Sequence, residues 1–286
     1  MTHPSQRFAG RVAVLATMHE KEKAIAPLIE PALGVTVQVP TNFNTDAFGT
    51  FTRDIDRAGN QLEAARRKAE TAMELTGQTL ALASEGSFGP HPAFPYLSCD
   101  RELVVLIDRQ HELEVIGQVL TPETNYSHKV VTNLPAAQAF AQQVGFPQHG
   151  LVVITRPEAP SEAEIFKGIT SPAALEKAVQ HALAITGKAQ LETDMRALYN
   201  PTRMQAIAQA TQDLIAKLLR LCPRCESPGF DLIETVPGLP CEWCGLPTAE
   251  VRSQVYGCQK CGHRQTIDFP EGKEKASPAE CAYCNP

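Results

Sequence analysis

The sequence lacks long apolar runs, an excess of basic residues and a leader-like start. No run approaches the roughly 20 apolar residues that cross a bilayer, so we expect no membrane partner. The 26 lysines and arginines are outnumbered by 32 aspartates and glutamates, and the net charge of −6 argues against bulk binding to nucleic acid. The start shows no basic segment followed by an apolar segment and a cleavage site. We therefore expect a cytoplasmic protein.

Cysteine is abundant at the C-terminal end, where eight of the nine cysteines form four C-x-x-C pairs. In a cytoplasmic chain this spacing indicates metal binding rather than disulfides, with redox or iron–sulfur chemistry as the alternative. Four thiolates complete a tetrahedral shell and leave no open position, so we predict two structural zinc ions. The predicted ligands are Cys222, Cys225, Cys241, Cys244, Cys258, Cys261, Cys281 and Cys284.

The pattern leaves open which pairs share a zinc ion. Residues 241–269 alone read as a complete ribbon, which would join the second pair to the third and the first pair to the fourth. Pairing in chain order is the alternative. Zinc ribbons bind DNA, RNA or protein, so the module leaves its partner open. We interpret Trp243, Tyr256 and Tyr283 as packing the small core of this module, with a stacking surface for nucleic-acid bases as the alternative.

The rest of the chain alternates short apolar runs with amphipathic segments, which predicts an α/β domain over residues 1–220. We expect a three-layer mixed sheet with helices on both faces, followed by a small double zinc-ribbon-like module over residues 221–286. A helix is predicted over 54–76, with Arg66, Arg67 and Lys68 on a solvated face. The segments ELVVLIDR and ELEVIGQVL predict an antiparallel hairpin.

The segment SEGSFGPHP, residues 84–92, follows a predicted strand over 78–84 and reads as a stiff loop. Here Glu85 would hold Mg²⁺ or orient a water molecule, and His91 would act as a ligand or a general acid. The alternative is a tight structural loop in which Glu85 accepts hydrogen bonds from nearby backbone amides.

Two resemblances add to these interpretations. The cysteine-rich tail resembles that of an uncharacterised bacterial family. The N-terminal part resembles the inosine-triphosphatase-like superfamily of nucleotide pyrophosphatases. The residues that carry the second resemblance are Ala16-Thr17 with the lysines that follow, Thr50-Phe51, Lys68-Ala69, Thr76-Gly77 and the acidic segment 84–87 before a hairpin. Met18 and His19 stand where that superfamily has glycine and asparagine.

The resemblance implies a Mg²⁺-dependent hydrolase of a nucleotide or another phosphorylated small molecule. Phosphates would lie at the start of the first helix, where backbone amides and the helix dipole favour anions. The residues expected to contact the ligand are Thr17, His19, Lys21, Lys23, Arg53, Arg57, Ser84 and Ser87. The alternative is a non-catalytic binding or adaptor protein with a degenerate nucleotide-binding domain, whose zinc module contacts protein or nucleic acid.

Overall fold

The computed structural model describes residues 4–41, 43, 60–155 and 163–286 and shows a mixed α/β fold with several sheets. The first sheet has five strands in the order β2-β1-β3-β4-β5, in which β1 is parallel to β2 and β3 whereas β3, β4 and β5 are antiparallel. The strands are β1 (Val12–Ala16), β2 (Thr36–Gln38), β3 (Leu80–Pro90), β4 (Ser98–Asp108) and β5 (Leu113–Thr121). The predicted hairpin is therefore confirmed as β4 and β5.

Helices pack against both faces of this sheet: α1 (Glu22–Leu33) and α5 (Pro201–Leu219) on one, and α2 (Gln61–Thr76) on the other. The side-chain alternation of β3 explains the division, since Leu80 and Leu82 pack with α1 and α5 whereas Ala81 and Ala83 pack with α2. Helix α2 begins at Gln61 behind the Asn60 capping box, and residues 54–59 of the predicted helix lie outside the described residues.

Gly117 lets α5 approach β5 closely, and its replacement by alanine tests this packing. An added Cβ would lie 2.5 Å from the Cβ of Leu214 and would also meet the backbone of α5 at Ala210 and Leu214. Because helix backbone cannot rotate away, we expect Gly117→Ala to cost about 1–3 kcal/mol of stability. Urea unfolding followed by circular dichroism measures this cost. Gly89→Ala, on β3 with open space around it, serves as the control, and equal costs for both variants would contradict the close approach.

A second sheet holds the strands that follow β5, in the order β6-β9-β7-β8, with all neighbours antiparallel. Its elements are β6 (His128–Val131), α3 (Leu134–Gln143), β7 (Leu151–Thr155), β8 (Ile165–Ile169), α4 (Pro172–Thr186) and β9 (Ala189–Thr193). Phe140 of α3 and Val179 of α4 pack with Leu191 of β9 in a separate hydrophobic core. Residues 1–220 therefore contain two sheets where we expected one, because the later strands pair only among themselves.

The C-terminal module is a three-stranded antiparallel sheet of β10 (Asp231–Pro237), β11 (Val251–Gly257) and β12 (Arg264–Asp268). It follows α5 directly, and Lys217 of that helix forms ion pairs with Asp213 and with Asp231 at the start of β10. Phe230 packs between Tyr256 and the ring of His263, which gives the module a small core. Within the described ranges, no helix combines the length and the apolar character that crossing a bilayer requires.

Candidate functional site: a buried charged cluster and two four-cysteine groups

The acidic segment 84–87 lies inside β3 rather than in a loop. Ser84 is paired with Val104 and Glu85 with Leu103, and this pairing continues as far as Pro90 and Ser98. The predicted strand end at residue 84 is therefore wrong: β4 offers a backbone partner along the whole segment, which outweighs the low strand propensity of glycine and serine. The parallel neighbour β1 stops earlier, because its last pairing joins Ala16 to Ala83.

Lys21 occupies the edge of β3 just beyond the end of β1. Its Nζ donates a hydrogen bond of 3.0 Å to the carbonyl oxygen of Ser84. Burial, and then the charge of Arg203, lower the pKa of Lys21 to about 7, against the raising effect of Glu102 and Glu85. Thr17 is buried near the same strand end, where its Oγ1 accepts a hydrogen bond of 3.3 Å from the backbone of His19.

On the α2 face of the sheet, Glu85 forms an ion pair with Lys68, and both side chains are at most 10% exposed. Gln61 at the start of α2 donates to the carbonyl oxygens of Glu85 (2.6 Å) and Arg101 (2.8 Å). Ser87 is half-buried beside it, 3.5 Å from the amide oxygen of Gln61. Our interpretation of Lys68 as solvated is wrong, because the residue falls on the same helix face as the buried alanines of α2.

On the α5 face, Arg203 and Glu102 form a fully buried ion pair. Nε of Arg203 donates to Oε1 of Glu102 at 2.6 Å, and its Nη1 donates to the carbonyl of Met195 at 2.5 Å. Gly86 makes room for this pair, since a Cβ there would lie 2.7 Å from Nη2 of Arg203 and would overlap Glu102. Burial, and then the charge of Glu102, raise the pKa of neighbouring Asp100 to about 8.

Other predicted site residues lie away from this cluster. Nδ1 of His91 accepts hydrogen bonds from the backbone of Ala93 (3.1 Å) and Phe94 (3.2 Å), so His91 stabilises the turn after β3. Lys23 is exposed and forms a surface ion pair with Glu20. The predicted phosphate contacts Arg53 and Arg57, and the motif Thr50-Phe51, lie outside the described residues.

Sequence reasoning did not single out Asp100, Glu102 or Gln61. Asp100 and Glu102 were recognisable in principle, since they are two residues apart at the start of the apolar strand β4 and so point to one face. An acid pair on the buried face of a strand is uncommon, because buried carboxylates need partners. This alternation is the signal that could have placed both residues in the site.

The low pKa of Lys21 predicts how stability depends on pH. The unfolded chain binds a proton at Lys21 up to a pKa near 10.5, whereas the folded protein releases it near 7. Burying the charged ammonium therefore lowers the free energy of unfolding most below pH 7, and this loss of stability disappears as the pH rises towards 10.5. We expect the stability of Lys21→Met relative to wild type to fall between pH 7 and 10.

Thermal unfolding of both proteins across this pH range measures the effect. Lys23→Met is the matched control on an exposed position of the same segment. A relative stability of Lys21→Met that stays constant with pH would contradict the burial of a charged Lys21.

Each of the two four-cysteine groups is arranged to hold one metal ion, because its four sulfur atoms lie within 4.8 Å of one another. The first group joins Cys222 and Cys225 to Cys258 and Cys261. The second joins Cys241 and Cys244 to Cys281 and Cys284. Sulfur pairs across the groups are 3.6–3.8 Å apart, close to the ~3.8 Å edge of a tetrahedron with Zn–S bonds of about 2.3 Å.

The pairing is interleaved, first with third and second with fourth, so both pairings considered from the sequence are wrong. The antiparallel sheet explains it. Strand β10 leads away from the first pair to the second, β11 returns and brings the third pair beside the first, and β12 leads back towards the second and fourth. Successive pairs therefore alternate between the two ends of the sheet.

The aromatic residues of the module differ in burial. Tyr256 contacts Phe230, with ring centroids 6.0 Å apart, as a core residue would. Trp243 and Tyr283 are 76% and 74% exposed, which overturns their interpretation as core residues. Both stand between the two cysteines of a C-x-x-C pair in the second group, so they lie on the surface at that end of the module.

Comparison with known proteins assigns the chain to a family. The family model described as "Domain of unknown function (DUF6671)" matches residues 68–286, which is more than half of the chain, so the protein belongs to this family. The matched range contains Lys68, strands β3 and β4 and all eight zinc-type cysteines, whereas Lys21 precedes it. No curated protein matches the chain.

Proposed function

We propose that this member of the DUF6671 family is a Mg²⁺-dependent hydrolase of a nucleotide or another phosphorylated small molecule. One observation carries the proposal: six buried ionisable side chains converge around the paired strands β3 and β4. The cations are Lys21, Lys68 and Arg203, and the acids are Glu85, Asp100 and Glu102.

A purely structural role is the weaker explanation of this cluster. Removing charged groups from water costs several kcal/mol each, and buried ion pairs often stabilise a fold no more than apolar residues of the same size. The sheet already has apolar cores on both faces, so its fold does not require these charges. Strongly shifted pKa values, as at Lys21 and Asp100, are typical of functional sites.

The roles follow from position. Lys21, directly before α1, and Lys68 would contact the phosphate groups, with Thr17 near the same helix start. Glu85, which its ion pair with Lys68 holds in place, would orient the attacking water molecule. Bound Mg²⁺ would neutralise charge on the phosphate oxygens. A site beyond the carboxyl end of the parallel strand β1 also agrees with the inosine-triphosphatase-like resemblance.

The test is a phosphate- and pyrophosphate-release screen of the zinc-loaded full chain. The panel contains nucleoside triphosphates and damaged nucleotides, each with and without Mg²⁺. We expect Mg²⁺-dependent turnover that falls about 100- to 10,000-fold in Glu85→Gln. Glu114→Gln is the matched control, because Glu114 lies on β5 of the same sheet in a half-exposed pair with Arg66. No turnover by the wild type would count against the hydrolase, and equal turnover in both variants would count against the role of Glu85.

A second candidate is a non-catalytic binding or adaptor protein that contacts protein or nucleic acid through its zinc module. The exposed Trp243 and Tyr283 favour it, since exposed aromatic side chains are enriched where proteins meet their partners. Stabilisation of the protein by nucleotides without turnover would support this candidate over the hydrolase.

A further inference from the structure

We propose that Asp100, Glu102 and Ser84 form a binding site for one hard divalent cation, Mg²⁺ or Mn²⁺, on the α5 face of β3 and β4. Oδ1 of Asp100, Oε2 of Glu102 and Oγ of Ser84 receive no hydrogen bond from any donor group of the described residues. The two carboxyl groups hydrogen-bond to each other when Asp100 carries a proton, and a bound cation would take the place of that proton. The three residues are at most 2% exposed. A buried carboxylate oxygen without a partner is costly, and a bound cation removes this cost.

The backbone register places the three side chains on one face. Asp100 and Glu102 are two residues apart on β4, so both point to the side of the sheet that α5 covers. Glu102 stands opposite Gly86, and Ser84 is two residues from Gly86 on β3, so its side chain lies on the same face diagonally from Glu102. Because Gly86 has no side chain, the carboxylate of Glu102 lies directly over β3, on the same face as Ser84.

Apart from the proton that Asp100 and Glu102 share, the hydrogen bonds around these oxygens leave them available. Arg203 donates to the other carboxylate oxygen of Glu102, and Lys21 donates to the backbone carbonyl of Ser84 rather than to its hydroxyl. The available donors are therefore two carboxylates and a hydroxyl, an all-oxygen set. Such a set suits Mg²⁺ or Mn²⁺, which complete their shells with water or phosphate oxygens, rather than zinc.

Charge balance indicates when the cation binds. Whether Asp100 and Lys21 are both ionised or both neutral, the acids of the cluster offset its cations, so the protein groups alone are neutral. A phosphate dianion adds two negative charges, and a divalent cation restores neutrality. The role of the cation therefore rests on the proposed function, while its binding is measurable without a nucleotide.

The sequence led us to expect Mg²⁺ at Glu85, but Lys68 already neutralises that carboxylate.

The test is a titration of the zinc-loaded full chain with Mn²⁺, followed by electron paramagnetic resonance without nucleotide. We expect one Mn²⁺ per chain, displaced by Mg²⁺, with affinity at least tenfold weaker in Asp100→Asn. This variant keeps the Glu102–Arg203 ion pair, and its circular dichroism and zinc content check that it folds. Ser84→Ala provides a second, smaller change and should weaken binding severalfold. Glu114→Gln should bind Mn²⁺ as the wild type does.

Two results would overturn the inference: no Mn²⁺ bound by the wild type at millimolar concentration, or the same affinity in wild type, Asp100→Asn and Ser84→Ala. Bound Mn²⁺ lost in Asp100→Asn but with no phosphate release from any substrate would count against the hydrolase alone. Phosphate release by a wild type whose Mn²⁺ affinity is unchanged in Asp100→Asn would count against this site alone.

Discussion

Replacing Cys222 and Cys258 together by serine should remove one zinc ion per chain, whereas replacing Cys222 and Cys241 together should remove both. The reason is the interleaved pairing: Cys222 and Cys258 belong to the same four-cysteine group, whereas Cys222 and Cys241 belong to different groups. Structural zinc contributes on the order of 10–16 kcal/mol of apparent binding free energy, so losing it unfolds its end of the module. Zinc content after dialysis, measured by atomic emission, reports the result.

A third variant, Cys222→Ser with Cys281→Ser, completes the test. If the pairs shared zinc in chain order, only the Cys222/Cys241 double variant would lose a single ion. If they followed the ribbon pairing, only the Cys222/Cys281 double variant would do so. Either outcome would contradict the interleaved arrangement. Cys99→Ser is the control, because Cys99 is buried in β4 outside both groups and its replacement should leave both ions bound.

Features of the fold that depend on neighbouring residues can be predicted from the sequence. Ile25, Leu28 and Ile29 on one face predict a helix over 18–33, within which α1 lies. The caps Ser171-Pro172 and Asn200-Pro201 predict where α4 and α5 begin. The C-x-x-C spacing likewise predicts eight ligands and two sites. These features depend on residues close together in the chain, which is why a pattern reveals them.

The features that sequence reasoning missed depend on distant partners. The segment 84–87 has the composition of a loop, and only its pairing with β4 makes it a strand. Lys68 reads as solvated until β3 supplies Glu85 opposite it. The zinc pairing depends on the direction of three strands rather than on the spacing of cysteines. In each case a contact between residues far apart in the sequence outweighs the structure that the local composition or spacing favours.

Replacing Arg203 by methionine should destabilise the protein strongly, by about 3–5 kcal/mol, because it leaves the fully buried carboxylate of Glu102 without its cation. Glu102→Leu should be costly for the converse reason. The double variant removes both charges, so its cost should fall short of the sum of the single costs by about 1–3 kcal/mol. Urea unfolding followed by circular dichroism measures all four proteins.

The half-exposed pair of Arg66 and Glu114 provides the control, since water screens it and each replacement there should cost less than about 1 kcal/mol. Additive costs at Arg203 and Glu102 would contradict a coupled buried pair. A double variant that stays folded with both zinc ions bound, but no longer releases phosphate, would separate the two roles. Apolar residues would then support the fold equally well, and the charges of Arg203 and Glu102 would be needed for phosphate release rather than for folding.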